Sequence, residues 1–259
     1  MVTPGTISGV ERQNQILRWI NQQQRISISE VCEHFSVSEA TARRDLEMLA
    51  GKGRVHRVHG GAIALDQAPP EMPMLLRQDD QAGEKQRIGV AGANLVNEGD
   101  TIFLGSGTTV LEVARNLKDH KNLTVITNSL PVINLFSDNR NIITVCLGGM
   151  LRPSEFSFIG HFTEQALAEV RADKVFIGVR AISLNEGLTN DYLPETLTDR
   201  AILNIGQEII VVADHTKFGR ISTVMLVPIE RIHTLITGME IAGEMIKDIS
   251  KRNIYVITV

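Results

Sequence analysis

Residues 36–62 read SVSEATARRDLEMLAGKGRVHRVHGGA. Ala42, Leu46 and Leu49 recur at i, i+4 and i+7, the spacing of one buried helical stripe. Ser38 is a good N-cap before it and Gly51 a good stop after it. The opposite face then carries Ala40, Arg43, Arg44 and Glu47, flanked near the N-terminus by Glu39 and Thr41. Small residues on that face allow close approach to a major groove. The arginines can reach phosphates or a guanine edge, and Ser38 and Thr41 can donate to phosphate. Residues 53–65 follow as a β-hairpin bearing Arg54, Arg57 and His59, suited to lie as a wing along a DNA backbone. On these residues alone, a plain helical bundle with solvated arginines stays open.

Upstream, Ile16, Leu17 and Ile20 predict an amphipathic helix over Gly9–Gln23. An extended segment Ile26–Ile28 comes next, then a helix capped by Ser29 that buries Val31, Cys32 and Phe35. Downstream, DQAPPEMP at 66–73 cannot continue a helix or a central strand. We therefore divide the chain into a DNA-binding domain at 1–65, a linker at 66–80 and an α/β domain at 81–259. In the last, short Val- and Ile-rich runs at 101–104, 123–127, 142–147, 174–179, 209–213, 233–237 and 253–258 read as strands buried on both faces. Helical segments at 83–96, 110–117, 130–138, 163–170, 195–204 and 240–249 precede and separate them, which predicts a mostly parallel sheet covered on both sides.

FLGSGTTVLEVA at 103–114 reads as strand, glycine-rich loop and helix. Gly105 and Gly107 allow a sharp turn, and the backbone and hydroxyls of Ser106, Thr108 and Thr109 suit an anion at a helix N-terminus. A tight turn without a ligand stays open. A dinucleotide fits less well, because a third glycine is missing and the next strand ends in Asn128 rather than an acid. Other predicted strand ends carry Asn128 and Ser129, Gly149, Arg152, Arg180, Asp214 and Lys217, with Lys217 the best cation for a phosphate.

The formal net charge is −4, but residues 1–65 hold eight Lys and Arg against six Asp and Glu, so +2 sits there and −6 in the remainder. Aromatic residues are 4%, too few for a base-stacking platform. Cys32 and Cys146 lie in apolar segments and are expected to be buried thiols. The scattered histidines show no metal-ligand spacing, and neither a metal nor a cofactor is expected. No signal peptide or membrane-length apolar run is visible, so a cytoplasmic, reducing location without membrane contact is expected.

The run from Glu11 to Ala62, above all Ser38-x-x-Thr41-Ala42-Arg43-Arg44-Asp45-Leu46 and Arg57-Val58-His59-Gly60-Gly61-Ala62, resembles the DNA-binding domain of the DeoR family of bacterial regulators. GDTIFLGSGTT, LTVITNSLPV, LGGMLR, ADKVFIGV and VVADHTKFGR extend the resemblance to the family's effector domain, a fold similar to ribose-5-phosphate isomerase and the CoA transferases. The resemblance implies a winged helix-turn-helix followed by a sensor of phosphorylated sugars. It also implies a repressor of a carbohydrate-metabolism operon. Ala42 stands where the family usually has Ile, Gly105 where it has Asp, Arg180-Ala181 where it has Asp-Gly, and His215 where Ser is common. These departures put the sugar end of the pocket in doubt. Asp45 is expected to pair with an arginine near the wing. Two other functions compete: an α/β domain that only oligomerises, and a sugar-phosphate isomerase, which would need a carboxylate base where Arg180 stands. A symmetric homodimer or homotetramer would read two half-sites.

Overall fold

The computed structural model describes residues 9–23, 25–51, 54–64 and 72–259. The chain forms two compact units, Met1–Pro70 and Glu71–Val259. In the first, the apolar spacing noted above folds into α1 (Gly9–Gln23), β1 (Arg25–Ser27), α2 (Ile28–Phe35), α3 (Glu39–Gly51), β2 (His56–Val58) and β3 (Gly61–Ile63). The strands form one small antiparallel sheet, ordered β1-β3-β2. Ile16 and Ile20 of α1, Ile28 and Val31 of α2, and Ala42, Leu46 and Leu49 of α3 meet in a single core closed by Val55 and Ala62. Each of the Ile, Leu and Val side chains among them contributes roughly 1.5–3 kcal/mol on burial. The predicted hairpin is present, although its ends at residues 52–53 and 65 lie outside the described residues, as does linker segment 66–71.

Two local expectations need correction. The cap of α2 is Ser27, not Ser29: the Glu30 amide donates to Ser27 Oγ at 3.2 Å, and the Ser27 amide donates to Glu30 Oε2 at 2.6 Å. That reciprocal box needs an acid three residues after the cap, which Ser27 has and Ser29 lacks. Asp45 is buried, but its partners are on α1 rather than the wing. Arg12 Nε donates to it at 2.6 Å and Gln13 Nε2 at 3.0 Å.

The second unit begins with a 3-10 turn, Met74–Arg77. Its Met74 amide donates to the Ser154 carbonyl at 2.8 Å, Met74 is buried, and Arg77 pairs with Glu155. Residues 72–80, read from sequence as the end of the linker, are thus strapped to this unit. Then follow α4 (Ala82–Ala93), β4 (Thr101–Leu104), α5 (Thr108–Arg115), β5 (Leu123–Thr127), α6 (Leu130–Phe136), β6 (Ile142–Cys146), β7 (Met150–Arg152), β8 (Ser157–Ile159), α7 (His161–Ala168), β9 (Ala172–Ile177), β10 (Ala181–Ser183), β11 (Gly187–Asn190), α8 (Leu193–Ile205), β12 (Gly206–Val212), β13 (Val224–Val227), β14 (Thr234–Thr237), α9 (Gly243–Ser250) and β15 (Tyr255–Thr258).

A parallel seven-stranded sheet, ordered β15-β14-β12-β9-β4-β5-β6, organises the unit. Alternate residues of each central strand enter different cores. Ile102, Leu104 and Phe176 pack with α4 and α5, while Phe103, Val175 and Ile177 pack with α8. This explains why the strands read as apolar throughout. β7 and β8 form a hairpin, and β10, β11 and β13 a small antiparallel sheet; neither is among the strands expected from the sequence. Cys146, expected to be buried, is exposed because it ends the edge strand β6; Cys32 is half-buried.

Candidate functional site

The outer face of α3 comes first. Glu39, Ala40, Arg43, Arg44 and Glu47 are exposed, opposite buried Ala42, Leu46 and Leu49. Ser38 closes the helix start: the Thr41 amide donates to its Oγ at 3.3 Å, and the two hydroxyl oxygens lie 3.0 Å apart. Arg43 Nε and Nη2 both donate to Glu39 Oε1, at 3.0 and 2.5 Å, which aims the guanidinium along the helix. Arg44 projects without an ion pair among the described residues. On the hairpin, Arg54 and His59 are exposed, whereas Arg57 donates to the Gly61 carbonyl and braces the turn. The face therefore offers a free guanidinium, an aimed one and a small residue between them, as groove reading requires.

The second site lies where the sheet reverses its winding. The chain runs from β4 outward through β5 and β6, then returns to β9 on the other side of β4 and continues outward through β12. Connections that leave β4 and β9 in opposite directions open a crevice at their carboxyl ends. The Gly105 amide is used within the sheet, donating to Phe176 O at 3.0 Å. Gly107, at φ +108°, turns the chain into α5. Leu111 is the first residue whose amide bonds back along this helix, to Gly107 O at 3.0 Å, so the amides of Thr108 and Thr109 lie free of the ladder. Both residues are buried. At the end of β5, the Thr127 hydroxyl donates to Leu104 O at 2.6 Å. Next to it, Asn128 Oδ1 and Ser129 Oγ are buried and have no hydrogen-bond partner among the described residues. Asn128 Nδ2 is committed to Phe158 O at 2.9 Å, so only its acceptor is available.

Asp214 caps, and Lys217 ends, a 3-10 turn (His215–Lys217) after β12. Asp214 is buried and caps that turn, accepting from the Thr216 amide at 3.0 Å and from the Thr216 hydroxyl. Lys217 is half-buried. Across the crevice mouth, Arg152 pairs with Glu195 of α8 and lies over the Tyr192 ring, 4.5 Å from its centre. Asp191 stands 3.9 Å from both Arg152 and Arg180, linking the two guanidiniums. Arg180 is 8% exposed and its amide donates to Asn190 Oδ1 at 3.1 Å. Gly149, by contrast, opens the β7–β8 hairpin next to exposed Gly148 and Met150.

Sequence reasoning missed Lys85. It is buried on α4, and its Nζ donates to Arg77 O at 2.8 Å. α4 and α5 touch at Gly89, where a Cβ would come within 2.7 Å of the Glu112 backbone; Lys85 and Thr108 each lie one turn earlier, toward the crevice. The preceding Glu84 fixes this end of α4. Its Oε1 accepts the His215 amide at 2.7 Å and the Gly238 amide at 3.1 Å, and its Oε2 meets His215 Nδ1 at 2.7 Å. Glu84, Asp214 and His215 offer ligand atoms within 4.8 Å of one another, and Glu84 spends both its oxygens, and Asp214 its Oδ1, on hydrogen bonds. The available signal was the Glu-Lys pair one turn before a Gly-x-x-Gly helix face.

Burial pushes the Lys85 ammonium below the ordinary lysine value; Asp214 opposes this and Arg77 adds to it. Between the lowered folded value and the ordinary unfolded one, the unfolded chain binds more protons, so stability rises with pH across that window. Lys85→Met removes the buried charge. We expect a higher melting temperature at neutral pH and a flatter alkaline rise, measured by thermal unfolding over a pH series. A lower melting temperature at neutral pH would make the ammonium a structural bond rather than a desolvated charge awaiting an anion.

Residues 12–68 match the DeoR-like helix-turn-helix domain and residues 80–239 the DeoR C terminal sensor domain. The chain is 34% identical to the transcriptional repressor AccR of Agrobacterium fabrum, across 88% of each chain. It is 35% identical to the glycerol-3-phosphate regulon repressor of Escherichia coli, across 88% of this chain and 90% of that one. It is 31% identical to the HTH-type transcriptional regulator IolR of Bacillus subtilis, across 85% and 87%. Among solved structures, ribose 5-phosphate isomerase A of Methanocaldococcus jannaschii aligns with 54% of this chain and 55% of that one at 18% identity and a TM-score of 0.40, a likeness that bears no argument about activity. With both its units matched in order, and relatives of this similarity along most of its length, the chain belongs to the DeoR family of transcriptional regulators.

Proposed function

We propose that the chain represses a carbohydrate-metabolism operon, gripping operator DNA with α3 and the β2–β3 hairpin under control of a phosphorylated small molecule held in the crevice. The observation that carries the ligand half is the set of unused polar groups at the sheet's reversal: the free amides that start α5, and the buried, unpartnered Asn128 Oδ1 and Ser129 Oγ. The α5 amides and the Ser129 hydroxyl can donate to a phosphate at the helix N-terminus, while the Asn128 Oδ1 acceptor suits a ligand hydroxyl. The relatives named as regulators of the glycerol-3-phosphate regulon and the aga operon agree with a ligand of this chemistry. Binding rather than turnover is favoured because Asp214 caps a turn and Asp191 sits between two arginines, leaving neither placed as a base. We further infer action in the cytoplasm as a homodimer or homotetramer, since one reading helix per chain covers a single half-site. Among the described residues, no helix is long and apolar enough to cross a membrane.

A panel of sugar phosphates screened by thermal shift tests the reading, because a ligand that binds only the folded state raises the melting temperature. Lys217→Ala is expected to raise at least tenfold the ligand concentration needed to change operator binding. Unchanged ligand response in Lys217→Ala would place the phosphate elsewhere.

A further inference from the structure

Arg220 belongs to no site considered so far. It lies on the segment after the Asp214–Lys217 turn, which runs beside the small antiparallel sheet. The Gly219 amide donates to Ile182 O at 2.9 Å, and the Ser222 amide donates to Thr189 Oγ1 at 2.8 Å. These bonds hold Arg220 across β10 and β11. Arg180 immediately precedes β10 and is tied by its amide to Asn190, the last residue of β11. The fold thus brings two guanidiniums close enough for their charges to act on each other, from positions 40 residues apart in sequence.

Their circumstances differ. Arg180 is nearly sealed, with Asp191 at 3.9 Å, and Asp191 also serves Arg152. Arg220 is half-buried, yet no hydrogen bond or ion pair engages its side chain among the described residues. Burial holds its pKa below the usual arginine value, the Arg180 charge acts in the same direction, and Asp214 opposes them. Arginine remains protonated regardless. Asp214 offsets this charge only from a distance, with no ion pair to Arg220 among the described residues, and its Oδ1 is spent on the Thr216 amide and hydroxyl. A half-buried cation beside another, with its donors unused, is less well solvated than a free surface arginine and favours the arrival of an anion.

We propose that the effector carries a second oxyanionic group besides its phosphate, a carboxylate or a second phosphate, and that Arg220 receives it together with Arg180. This rests on the phosphate reading above and narrows it: the ligand class is phosphorylated sugar acids and bisphosphates, not sugar phosphates with a neutral far end. Arg220 is then the specificity-determining residue, because its five donors form a fork that matches two oxygens of a carboxylate or a phosphate and gains little from a hydroxyl.

Matched pairs test this on the full-length protein by titration calorimetry. They are 6-phosphogluconate against glucose 6-phosphate, 3-phosphoglycerate against glycerol 3-phosphate, and fructose 1,6-bisphosphate against fructose 6-phosphate, with inorganic phosphate as the common probe. In at least one pair the doubly anionic member should bind tenfold or more tightly than its partner. Arg220→Gln should erase that preference and Arg220→Lys keep part of it, with thermal unfolding reporting the fold of both variants. If the first two pairs respond and the third does not, the group is a carboxylate; the reverse identifies a second phosphate. If no pair shows a preference, or Arg220→Gln weakens both members equally, the proposal is overturned. In that event, binding of inorganic phosphate and the neutral-ended compounds leaves the phosphate reading standing, whereas no binding by any compound ends both.

Discussion

Replacing Arg43 and Arg44 together by alanine lowers affinity for operator DNA at physiological salt by about a hundredfold or more, since one guanine contact is worth roughly 1–3 kcal/mol and each phosphate contact adds to that. The slope of log affinity against log salt should also fall by roughly one for each phosphate left without its arginine. The geometry separates the two residues. Arg43 is clamped by Glu39 through two donors, while Arg44 is exposed and has no ion pair among the described residues. Arg44→Ala alone should therefore weaken binding more than Arg43→Ala, and Glu39→Ala should alter sequence preference through the released Arg43. Fluorescence anisotropy on the promoter fragment at several salt concentrations measures all four variants. A double variant that holds the fragment as well as the parent would remove α3 from the interface.

The second large effect is on stability. Asp45→Ala should destabilise the first unit by about 3–5 kcal/mol, the usual result of removing one partner from a buried ion pair. Arg12 would keep its charge with its side chain only 15% exposed, and Gln13 would lose its acceptor. A unit of this size has little stability in reserve, so the loss is comparable to the whole. The chain's one tryptophan, Trp19, lies in α1 and packs against His34 at 4.5 Å and Phe35 at 6.2 Å between ring centres. Its fluorescence therefore reports on this unit alone. Urea titration of Asp45→Ala should show the Trp19 transition displaced to much lower denaturant, with the far-ultraviolet signal of the α/β unit scarcely moved. Unshifted Trp19 unfolding would mean that the Arg12 contact is incidental.

Asp45 also shows where sequence reading stops. Its burial was foreseeable from its place beside Leu46 on a helix with one apolar stripe. Its partner lies 33 residues away on another helix, and only tertiary packing decides between Arg12 and an arginine of the hairpin. The parallel strands were legible because burial on both faces forces unbroken runs such as Ile209–Val212. β7, β8, β10, β11 and β13 were not: each has three or four residues, and stretches such as Gly187–Asn190 mix glycine, threonine and asparagine without a period. The same limit governs the crevice. The glycine loop announced itself by spacing, and Arg180 by its departure from the family pattern. Lys85 and Arg220 gain meaning only from what the fold sets beside them: a glycine contact between two helices in one case, a pair of hydrogen-bonded segments in the other.

The strap at residues 74–77 bears on how such regulators can be recombined. Anyone grafting this sensor onto a foreign DNA reader would naturally cut after the last proline-rich residue and before the first regular helix, near residue 80. That cut discards Met74, which fills a buried position, the Arg77 partner of Glu155, and the carbonyl that receives Lys85. The graft would retain every strand and helix of the α/β unit and still carry an open seam where residues 74–77 had packed. The exchangeable module therefore starts at or before Met72, and the join belongs in residues 65–71.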